Sequence, residues 1–249
     1  MENSKMSMEL KILGSSSSGN CYILDNGKEA LIIEAGIPFS KVKQALNYNL
    51  RKVAGCLISH AHNDHAKYAL NMVDSGITTL ALPEVWTAKQ VAGSRAIAIR
   101  PGKGYKLGRF KVLPFPAFHD VPCVGYHIMH PECGRLLFLT DSCDCLQIFP
   151  NLSHLLIECN YSNYKLLEAV NKGYTLKSQI ERLPNSHMEL DTCKRVISEH
   201  DLSLVQNIVL LHLSAQNSDR EHFISEIERL TGKVVYAANP GLTLDITKY

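Results

Sequence analysis

Signals that direct a chain into or across a membrane are missing from this sequence of 249 residues. No apolar run reaches the roughly 18 residues expected of a membrane-spanning helix. The first residues, Met1 to Lys5, open a stretch that lacks the apolar core of a signal peptide. These absences predict a cytoplasmic protein without a membrane partner, and they argue against a secreted enzyme.

A strong excess of one charge is also missing. Lysine and arginine number 26 and aspartate and glutamate number 24, which gives a net charge of +2. So small a net charge does not by itself indicate a nucleic-acid-binding protein, although it is compatible with a local basic groove. The length and the hydrophobic fraction of 45% fit one large globular domain, which we predict over residues 1–249.

The spacing of cysteines found in zinc ribbons and thioredoxin-like sites is absent. The chain has eight cysteines, and the closest pair, Cys143 and Cys145, is separated by one residue instead of two. In a cytoplasmic protein such cysteines are expected to be free thiols. Cys21, Cys56 and Cys159 lie in apolar stretches and are predicted to be buried.

What the sequence does contain is a dense cluster of metal-binding side chains. The stretch His60-Ala61-His62-Asn63-Asp64-His65 follows the apolar segment Val53–Ser59. Neutral imidazole suits zinc and similar ions, and a carboxylate adds a harder ligand. Packing alone gives no reason for three imidazoles and a carboxylate in one loop. This stretch therefore predicts a metal site just after a buried strand.

Three further candidate ligands occupy the same position relative to a strand. His119, Asp141 and His212 each follow an apolar run directly. Side chains at strand ends converge on one edge of a layered sheet, where α/β folds usually bind their ligands. We therefore expect these three residues to lie close to the loop at residues 60–65.

The remaining pattern predicts alternating strands and helices. Ser40 is the expected N-cap of the first helix, and the polar stretch Tyr164–Ser186 is expected to be partly helical. That first helix is predicted over Ser40–Leu46. The further predicted helices are Ala66–Ser75, Thr192–Glu199 and Ser218–Leu230. The predicted strands are Leu10–Leu13, Cys21–Leu24, Ala30–Glu34, Val53–Ser59, Thr78–Ala81, Ala96–Ile99, Phe110–Phe115, Val124–Met129, Arg135–Thr140, His154–Glu158, Asn207–Leu211 and, closing the chain, Val234–Ala237.

The order of these motifs resembles that of the metallo-β-lactamase superfamily of hydrolases. The opening stretch from Gly14 to Tyr22 (GSSSSGNCY) is similar to the small bacterial and phage branch known as YycJ or WalJ, regarded as DNA-processing exonucleases. The sequence departs from that branch at three points. Glu34 replaces the usual aspartate, Cys159-Asn160-Tyr161 lacks a histidine, and Ser186-His187-Met188 replaces Gly-His-Leu-Ser.

The resemblance implies an α+β fold, a four-layer αββα sandwich with the site at one edge between two sheets. It also implies two divalent metal ions, zinc or manganese. One ion would be held by His60, His62 and His119, and the other by Asp64, His65 and His212. Asp141 would bridge both, because a carboxylate has two oxygens. Ions so placed would lower the pKa of a shared water toward 7, which makes Asp64 and Asp141 catalytic as well as ligands.

Two residues outside this set have a predicted role. Glu34 either orients a ligand histidine through its other ring nitrogen or caps the end of a strand. His187 is a candidate general acid that would protonate the leaving group or bind phosphate, and the alternative is a surface histidine in a polar loop.

Three classes of function stay open. The resemblance favours a 5′ exonuclease acting on DNA ends. A phosphodiesterase for a cyclic nucleotide is the second class, and an ester or thioester hydrolase is the third, because fold alone does not separate them. The expected partner is therefore a nucleic acid or a small nucleotide, and the sequence leaves a homodimer open.

Overall fold

A computed structural model describes residues 7–173 and 183–248 of the chain. The strands are β1 Glu9–Gly14, β2 Cys21–Asp25, β3 Ala30–Ile33, β4 Val53–Leu57, β5 Thr79–Ala81, β6 Ala96–Ala98, β7 Tyr105–Leu107, β8 Phe110–Ala117, β9 Cys123–His130, β10 Gly134–Leu139, β11 His154–Glu158, β12 Asn207–Leu211, β13 Val234–Ala237 and β14 Thr243–Asp245. The α-helices are α1 Phe39–Ala45, α2 Asn63–Ala66, α3 Ala69–Asp74, α4 Pro83–Lys89, α5 Asn163–Asn171, α6 Leu190–Ser198 and α7 Arg220–Thr231. A 3₁₀ turn covers Leu50–Lys52, and residues 183–186 are also helical.

The described strands form two mixed sheets. The first has the order β14-β1-β2-β3-β4-β5-β6 and the second the order β13-β12-β11-β10-β9-β8-β7. In each sheet an antiparallel part meets a parallel part: β3 to β6 are parallel in the first, and β10 to β13 are parallel in the second. Every residue of β2, β3 and β11 is buried, as expected for strands covered on both faces.

Two hydrophobic clusters hold the layers together. One lies between the sheets, where the rings of Tyr22 and Phe138 meet edge to face at 5.3 Å and the Tyr126 hydroxyl donates to the Ile58 carbonyl at 2.7 Å. The other lies between the second sheet and helices α6 and α7, and it includes Cys193 and Phe223. With α1, α3 and α4 on the outer face of the first sheet, the result is the expected four-layer αββα sandwich.

The structure corrects four details of the sequence prediction. Helix α1 begins at Phe39, and Ser40 does not cap it, because the N-cap is Pro38 without a side-chain hydrogen bond. The helix expected at Ala66–Ser75 is split into α2 and α3. Strand β13 does not close the chain, since β14 follows it. Strand β7 and helix α4 were not predicted at all.

The last strand crosses from one half of the sandwich to the other. β14 pairs antiparallel with β1, with Leu244 opposite Leu10, so the end of the chain completes the first sheet instead of the second. Short strands of this kind carry little pattern of their own, and a partner more than 200 residues away decides their pairing. Among the described residues, no helix combines the length and the apolarity needed to cross a membrane.

Candidate metal centre

The candidate site lies at the carboxyl ends of strands from both sheets. Residues after β3 and β4 approach it from the first sheet, and residues after β8, β10 and β12 approach it from the second. Parallel strands end at the same edge of a sheet, so the residues that follow them converge. The structure brings together all seven residues predicted as metal ligands.

Backbone geometry at three of these strand ends is unusual. Glu34, Asp141 and His212 have φ values of 69°, 49° and 53°, in the left-handed region that residues other than glycine seldom adopt. They are three of the seven such residues in the described part of the chain. Conformations of this kind cost free energy and concentrate at functional sites. Here each one turns the chain out of a strand at the edge where the ligands meet.

A first ligand group consists of His60, His62 and His119. Nδ1 of His62 lies 3.1 Å from Nε2 of His60 and 3.2 Å from Nε2 of His119. A metal ion placed among these three ring nitrogens would contact all of them. His60 is fully buried, whereas the side chain of His62 is 32% exposed, so this group opens to solvent on the His62 side.

A second ligand group consists of Asp64, His65 and His212. Oδ2 of Asp64 lies 3.2 Å from Nε2 of His65 and 3.6 Å from Nε2 of His212. His65 and His212 are buried, so this group lies deeper in the protein than the first. Its mixture of imidazole and carboxylate ligands suits both zinc and manganese.

Asp141 lies between the two groups. Its Oδ2 is 3.9 Å from Nε2 of His60 and 3.8 Å from Nε2 of His119, whereas its Oδ1 is 3.4 Å from Nε2 of His65. Each carboxylate oxygen therefore faces a different ligand group. The Thr140 hydroxyl donates to Oδ1 at 2.8 Å and holds the carboxylate in this orientation.

A polar atom lies near the second ring nitrogen of each of the five imidazoles, although Nδ1 of the buried His65 makes no hydrogen bond to a described residue. Such partners fix the tautomer and the orientation of a ligand histidine. The contacts are Ser59 Oγ to His60 Nδ1 at 2.9 Å, Asp120 Oδ1 to His62 Nε2 at 3.4 Å, Glu34 Oε2 to His65 Nδ1 at 3.4 Å, Ser186 O to His119 Nδ1 at 2.7 Å and Glu158 Oε1 to His212 Nδ1 at 3.5 Å.

The Glu34 carboxylate lies near both of the groups that the sequence analysis considered for it. Its carboxylate faces Nδ1 of His65 and also accepts the backbone N–H of Ser59 at the end of β4, at 3.3 Å from each oxygen. Two residues later, the backbone of Gly36 passes so close to Asp64 that a Cβ atom would lie 1.6 Å from the Asp64 carbonyl oxygen. Only glycine fits there, because the contact is with backbone that has no room to move.

The serine-rich loop at residues 15–20 forms hydrogen bonds and close contacts with the residues of the second ligand group. The backbone N–H of Asn20 donates to the Asp64 carbonyl at 2.7 Å, and Nδ2 of Asn20 lies 2.9 Å from Nε2 of His65. Oγ of Ser15 accepts hydrogen bonds from the Tyr22 hydroxyl at 2.7 Å and from the backbone N–H of His212 at 2.9 Å. The loop therefore ties the first sheet to the ligand that follows β12.

Charge separates the two groups further. Burial lowers the pKa of His60 well below its ordinary value and also lowers the pKa of His119. Burial acts in the same direction on His65 and His212, but neighbouring carboxylates outweigh it, and the Asp141 charge is the largest of these effects. The pKa of His65 is raised well above its ordinary value, and that of His212 is raised to about 10.

His187 lies inside the site and not on the protein surface. Its Nδ1 is 2.7 Å from Oε1 of Glu158, and its ring stacks on that of His212 with centroids 5.4 Å apart and planes 8° apart. Its ring also meets His119 edge to face at 5.5 Å. Burial alone would lower the pKa of His187, but the Glu158 carboxylate raises it. The proton-donating form is therefore favoured.

Sequence reasoning missed three residues that the structure places here. Glu158 is fully buried, and its Oε2 accepts the backbone N–H groups of Ser142 and Met188 at 2.8 and 3.2 Å. Asp120 lies 3.1 Å from Nε2 of His119 as well as facing His62. The third is Asn160, whose Nδ2 donates to the His212 carbonyl at 2.7 Å. Glu158 ends a strand, the same signal that identified Asp141 and His212.

A cavity of about 460 Å³ opens beside the second ligand group. Its walls come from the serine loop, from the chain after His212 and from the helical turn before His187. We call it the serine-lined cavity. Its lining residues are Ser16, Ser17, Ser18, Asn160, Leu183, Ser186, His187, His212, Leu213, Ser214, Ala215, Gln216 and Asn217.

The remaining histidines lie outside the site, and the cysteines are free thiols as the sequence predicts. His127, His130, His154 and His200 are buried away from the ligand groups, and His222 is exposed. All eight cysteines are free, and Cys21, Cys56 and Cys159 are buried. Residues 174–182 of the stretch expected to be partly helical, Tyr164–Ser186, lie outside the described residues.

Comparison with known proteins agrees with this geometry. Residues 16–127 match the model of the metallo-beta-lactamase superfamily. This part of the chain, 112 of its 249 residues, is similar to that superfamily. The fold of the chain is the superfamily's sandwich, and the protein is a metal-dependent hydrolase whose His and Asp clusters indicate binding of divalent metal.

Two relatives and one solved structure cover most of the chain. It is 24% identical over 233 residues to the exodeoxyribonuclease WalJ of Streptococcus pneumoniae, which covers 88% of this chain and 86% of the relative. It is 22% identical over 235 residues to the exodeoxyribonuclease YycJ of Bacillus anthracis, with 87% and 86% covered. The crystal structure of the metallo-beta-lactamase fold protein YhfI from Bacillus subtilis has a TM-score of 0.71 at 15% identity, with 96% and 99% covered.

Proposed function

We propose that the protein is a binuclear metal-dependent phosphodiesterase, a 5′ exonuclease that acts on DNA ends in the cytoplasm. The observation that carries this proposal is the position of Asp141, whose two carboxylate oxygens face two different ligand groups. Two relatives that align over most of the chain are named exodeoxyribonucleases, which supports DNA as the substrate.

The residues of the site fit two divalent ions. His60, His62 and His119 would hold one, and Asp64, His65 and His212 would hold the other, with Asp141 shared. A polar atom lies near the second ring nitrogen of each of the five imidazoles, as is usual around ligand histidines. Two divalent cations, zinc or manganese, supply a nucleophile from water at neutral pH and neutralise phosphate charge when bound.

The protein's own side chains contribute positioning and a proton. Glu34 and Asp120 orient His65 and His62, so the imidazoles keep their direction. Glu158 raises the pKa of His187, which favours its protonated form, and the ring lies beside ligand residues of both groups. It would donate that proton to the leaving oxygen of a phosphodiester.

The cyclic-nucleotide alternative is less well supported. It predicts a closed pocket with an aromatic platform under the base. The serine-lined cavity is open on one side, and imidazoles are the only aromatic rings among the described residues of its lining. The thioester alternative makes no use of the proton donor, since a thiolate leaves without protonation.

A turnover screen tests the proposal. Protein loaded with zinc or manganese would be given linear DNA with a 5′ phosphate, the same sequence as a closed single-stranded circle, RNA, 3′,5′-cyclic mononucleotides and a thioester. We expect loss of linear DNA from its 5′ end and no cleavage of the circle. Cleavage of the circle would rule out action on ends, and turnover of cyclic nucleotides alone would replace DNA as the substrate.

A further inference from the structure

The serine-lined cavity is a preformed compartment next to the ligand groups. Its outer wall, residues 213–217, is held in place by backbone hydrogen bonds. Ser214 N donates to the Asn160 carbonyl at 2.8 Å, and Ser162 N donates to the Asn217 carbonyl at 3.1 Å. Oγ of Ser214 accepts the backbone N–H of Asn217 at 3.2 Å and so closes the turn. Because these hydrogen bonds fix residues 213–217, this segment does not need a ligand to order it.

The chemistry of the cavity suits a nucleoside. Its volume of about 460 Å³ lies in the range of small-ligand sites, about 300–1,000 Å³. The hydroxyls of the serine loop and the amide of Gln216 supply both donors and acceptors, while Leu183, Leu213 and Ala215 add apolar surface. A deoxyribose with its base presents the same combination of polar edges and apolar faces.

The position of His187 tells which part of a substrate enters this cavity. His187 lines the cavity and also contacts the rings of His119 and His212, so it stands between the cavity and the ligand groups. Hydrolysis of a phosphodiester forms one bond from phosphorus to a water oxygen and breaks the bond to the leaving oxygen. The leaving oxygen receives a proton. A donor at the mouth of the cavity therefore faces a leaving group that occupies the cavity.

We propose that the serine-lined cavity binds the single 5′-terminal nucleoside of a DNA strand as the leaving group. The bond broken is the one between phosphorus and the 3′ oxygen of that terminal nucleotide. The product that leaves is one nucleoside 5′-monophosphate, and the shortened strand keeps the scissile phosphate at its new 5′ end. This inference rests on the proposed function and adds the place where the terminal nucleoside binds and the size of each step.

A variant that fills the cavity tests the proposal. Ala215 lines the cavity and is exposed, so Ala215→Trp obstructs the space without disturbing the core. Ser17→Phe fills it from the opposite wall and serves as a second variant. The matched control is Ala98→Trp, an equally exposed alanine at the end of β6 in a different part of the fold. Circular dichroism and elemental analysis establish that all three variants are folded and loaded with metal.

Two measurements are made on each protein. Titration calorimetry measures binding of thymidine 5′-monophosphate, and chain-length analysis of labelled linear DNA measures the rate and the size of the first products. We expect both cavity variants to bind the nucleotide about tenfold more weakly or worse and to lose a similar factor in kcat/KM on DNA, as a poorly fitting pocket does. The wild type and the Ala98→Trp control should release mononucleotides first.

The outcomes separate the two proposals. If the wild type degrades DNA from the 5′ end but both cavity variants match it in nucleotide binding and in rate, the cavity is not the nucleoside site and the proposed function stands. First products two or more nucleotides long would also overturn the inference alone. A wild type that hydrolyses neither DNA nor a nitrophenyl phosphodiester would overturn the proposed function and this inference with it.

Discussion

The two ligand groups lie at the same edge of the sandwich but differ in charge. The first is made of three imidazoles, and in the folded protein the pKa values of His60 and His119 are lowered. The second includes the Asp64 carboxylate and faces Oδ1 of Asp141, and there the pKa values of His65 and His212 are raised. Histidine therefore favours its neutral form in the first group and its protonated form in the second.

The cause of this difference is the placement of carboxylates around buried rings. Burial favours the neutral imidazole everywhere, and only a nearby negative charge reverses that effect. Because a metal ion binds the neutral ring, an ion entering the second group competes with protons on His65 and His212 more than an ion entering the first group competes with protons on His60 and His119. The ligand set alone does not show this, since histidines predominate in both groups.

Removing the shared carboxylate should break both groups together and give the largest effect. Asp141→Ala eliminates the contact to either side, so we expect elemental analysis to fall from near two ions per chain to below one. Phosphodiester hydrolysis should drop by about 10³-fold or more, because charge stabilisation worth several kcal/mol is lost. Asp64→Ala should also abolish hydrolysis but leave the first group able to bind its ion.

The matched control for these variants is Asp201→Asn, an exposed carboxylate outside the site. It should keep both metal content and activity. An Asp141→Ala protein that still binds two ions would show that the carboxylate does not join the groups.

Replacing His187 should separate proton donation from metal binding. His187→Ala should slow hydrolysis of DNA by about 10²- to 10⁴-fold, the usual contribution of a general acid, with metal content unchanged. A nitrophenyl phosphodiester needs less protonation of its leaving group, so it should recover much of the lost rate. His222→Ala, at an exposed histidine, is the control. Equal rates for wild type and His187→Ala on both substrates would reduce His187 to a loop residue.

The pH dependence of metal binding should sharpen the comparison. The pKa values of His65 and His212 lie above the ordinary value in the folded protein, so both rings carry protons at neutral pH and affinity for the second ion falls as pH falls. The loss should be about tenfold per pH unit for each proton displaced. The affinity for the first ion should fall less steeply, because the pKa values of His60 and His119 are lowered.

Calorimetry in buffers of different ionisation enthalpy counts the protons released by each ion. Release of more protons by the second ion than by the first is the expected result. The same pKa shifts predict that, with a chelator present, the stability contributed by His212 is full below pH 6.5 and is lost as pH rises toward about 10. Equal proton release by both ions would contradict the assigned difference between the groups.

The smallest effects should come from the carboxylates that orient ligands. Glu34→Gln weakens the hold on His65, and Asp120→Asn weakens the hold on His62. Loss of such a contact usually costs about 10- to 100-fold in metal affinity. We expect the larger loss at Glu34, which is fully buried, and the smaller at Asp120, which is a third exposed. Competition with a chromogenic chelator measures both, and a larger loss at Asp120 would indicate that it contacts the metal directly.

Much of the candidate site could be predicted from the sequence because its residues follow strands. An apolar run that ends at His119, Asp141 or His212 is visible without a structure, and so is the density of ligands at residues 60–65. The same signal was present for Glu158, but a single glutamate after a strand is common, and its contact with His187 joins residues 29 positions apart. Assignment of the seven residues as metal ligands stays a prediction, as do the single domain and the assembly state.

By itself the sequence determined the layers of the fold and the edge at which its ligands gather, because strand patterns and strand ends are local properties. Only the tertiary structure decided how charge is distributed among those ligands. Glu34 approaches His65 from a neighbouring strand, and Glu158 and Asp141 approach His212 from two others. Distances between strands depend on sheet pairing and on the packing of one sheet against the other. That is why the difference between the two groups appears only when the chain is folded.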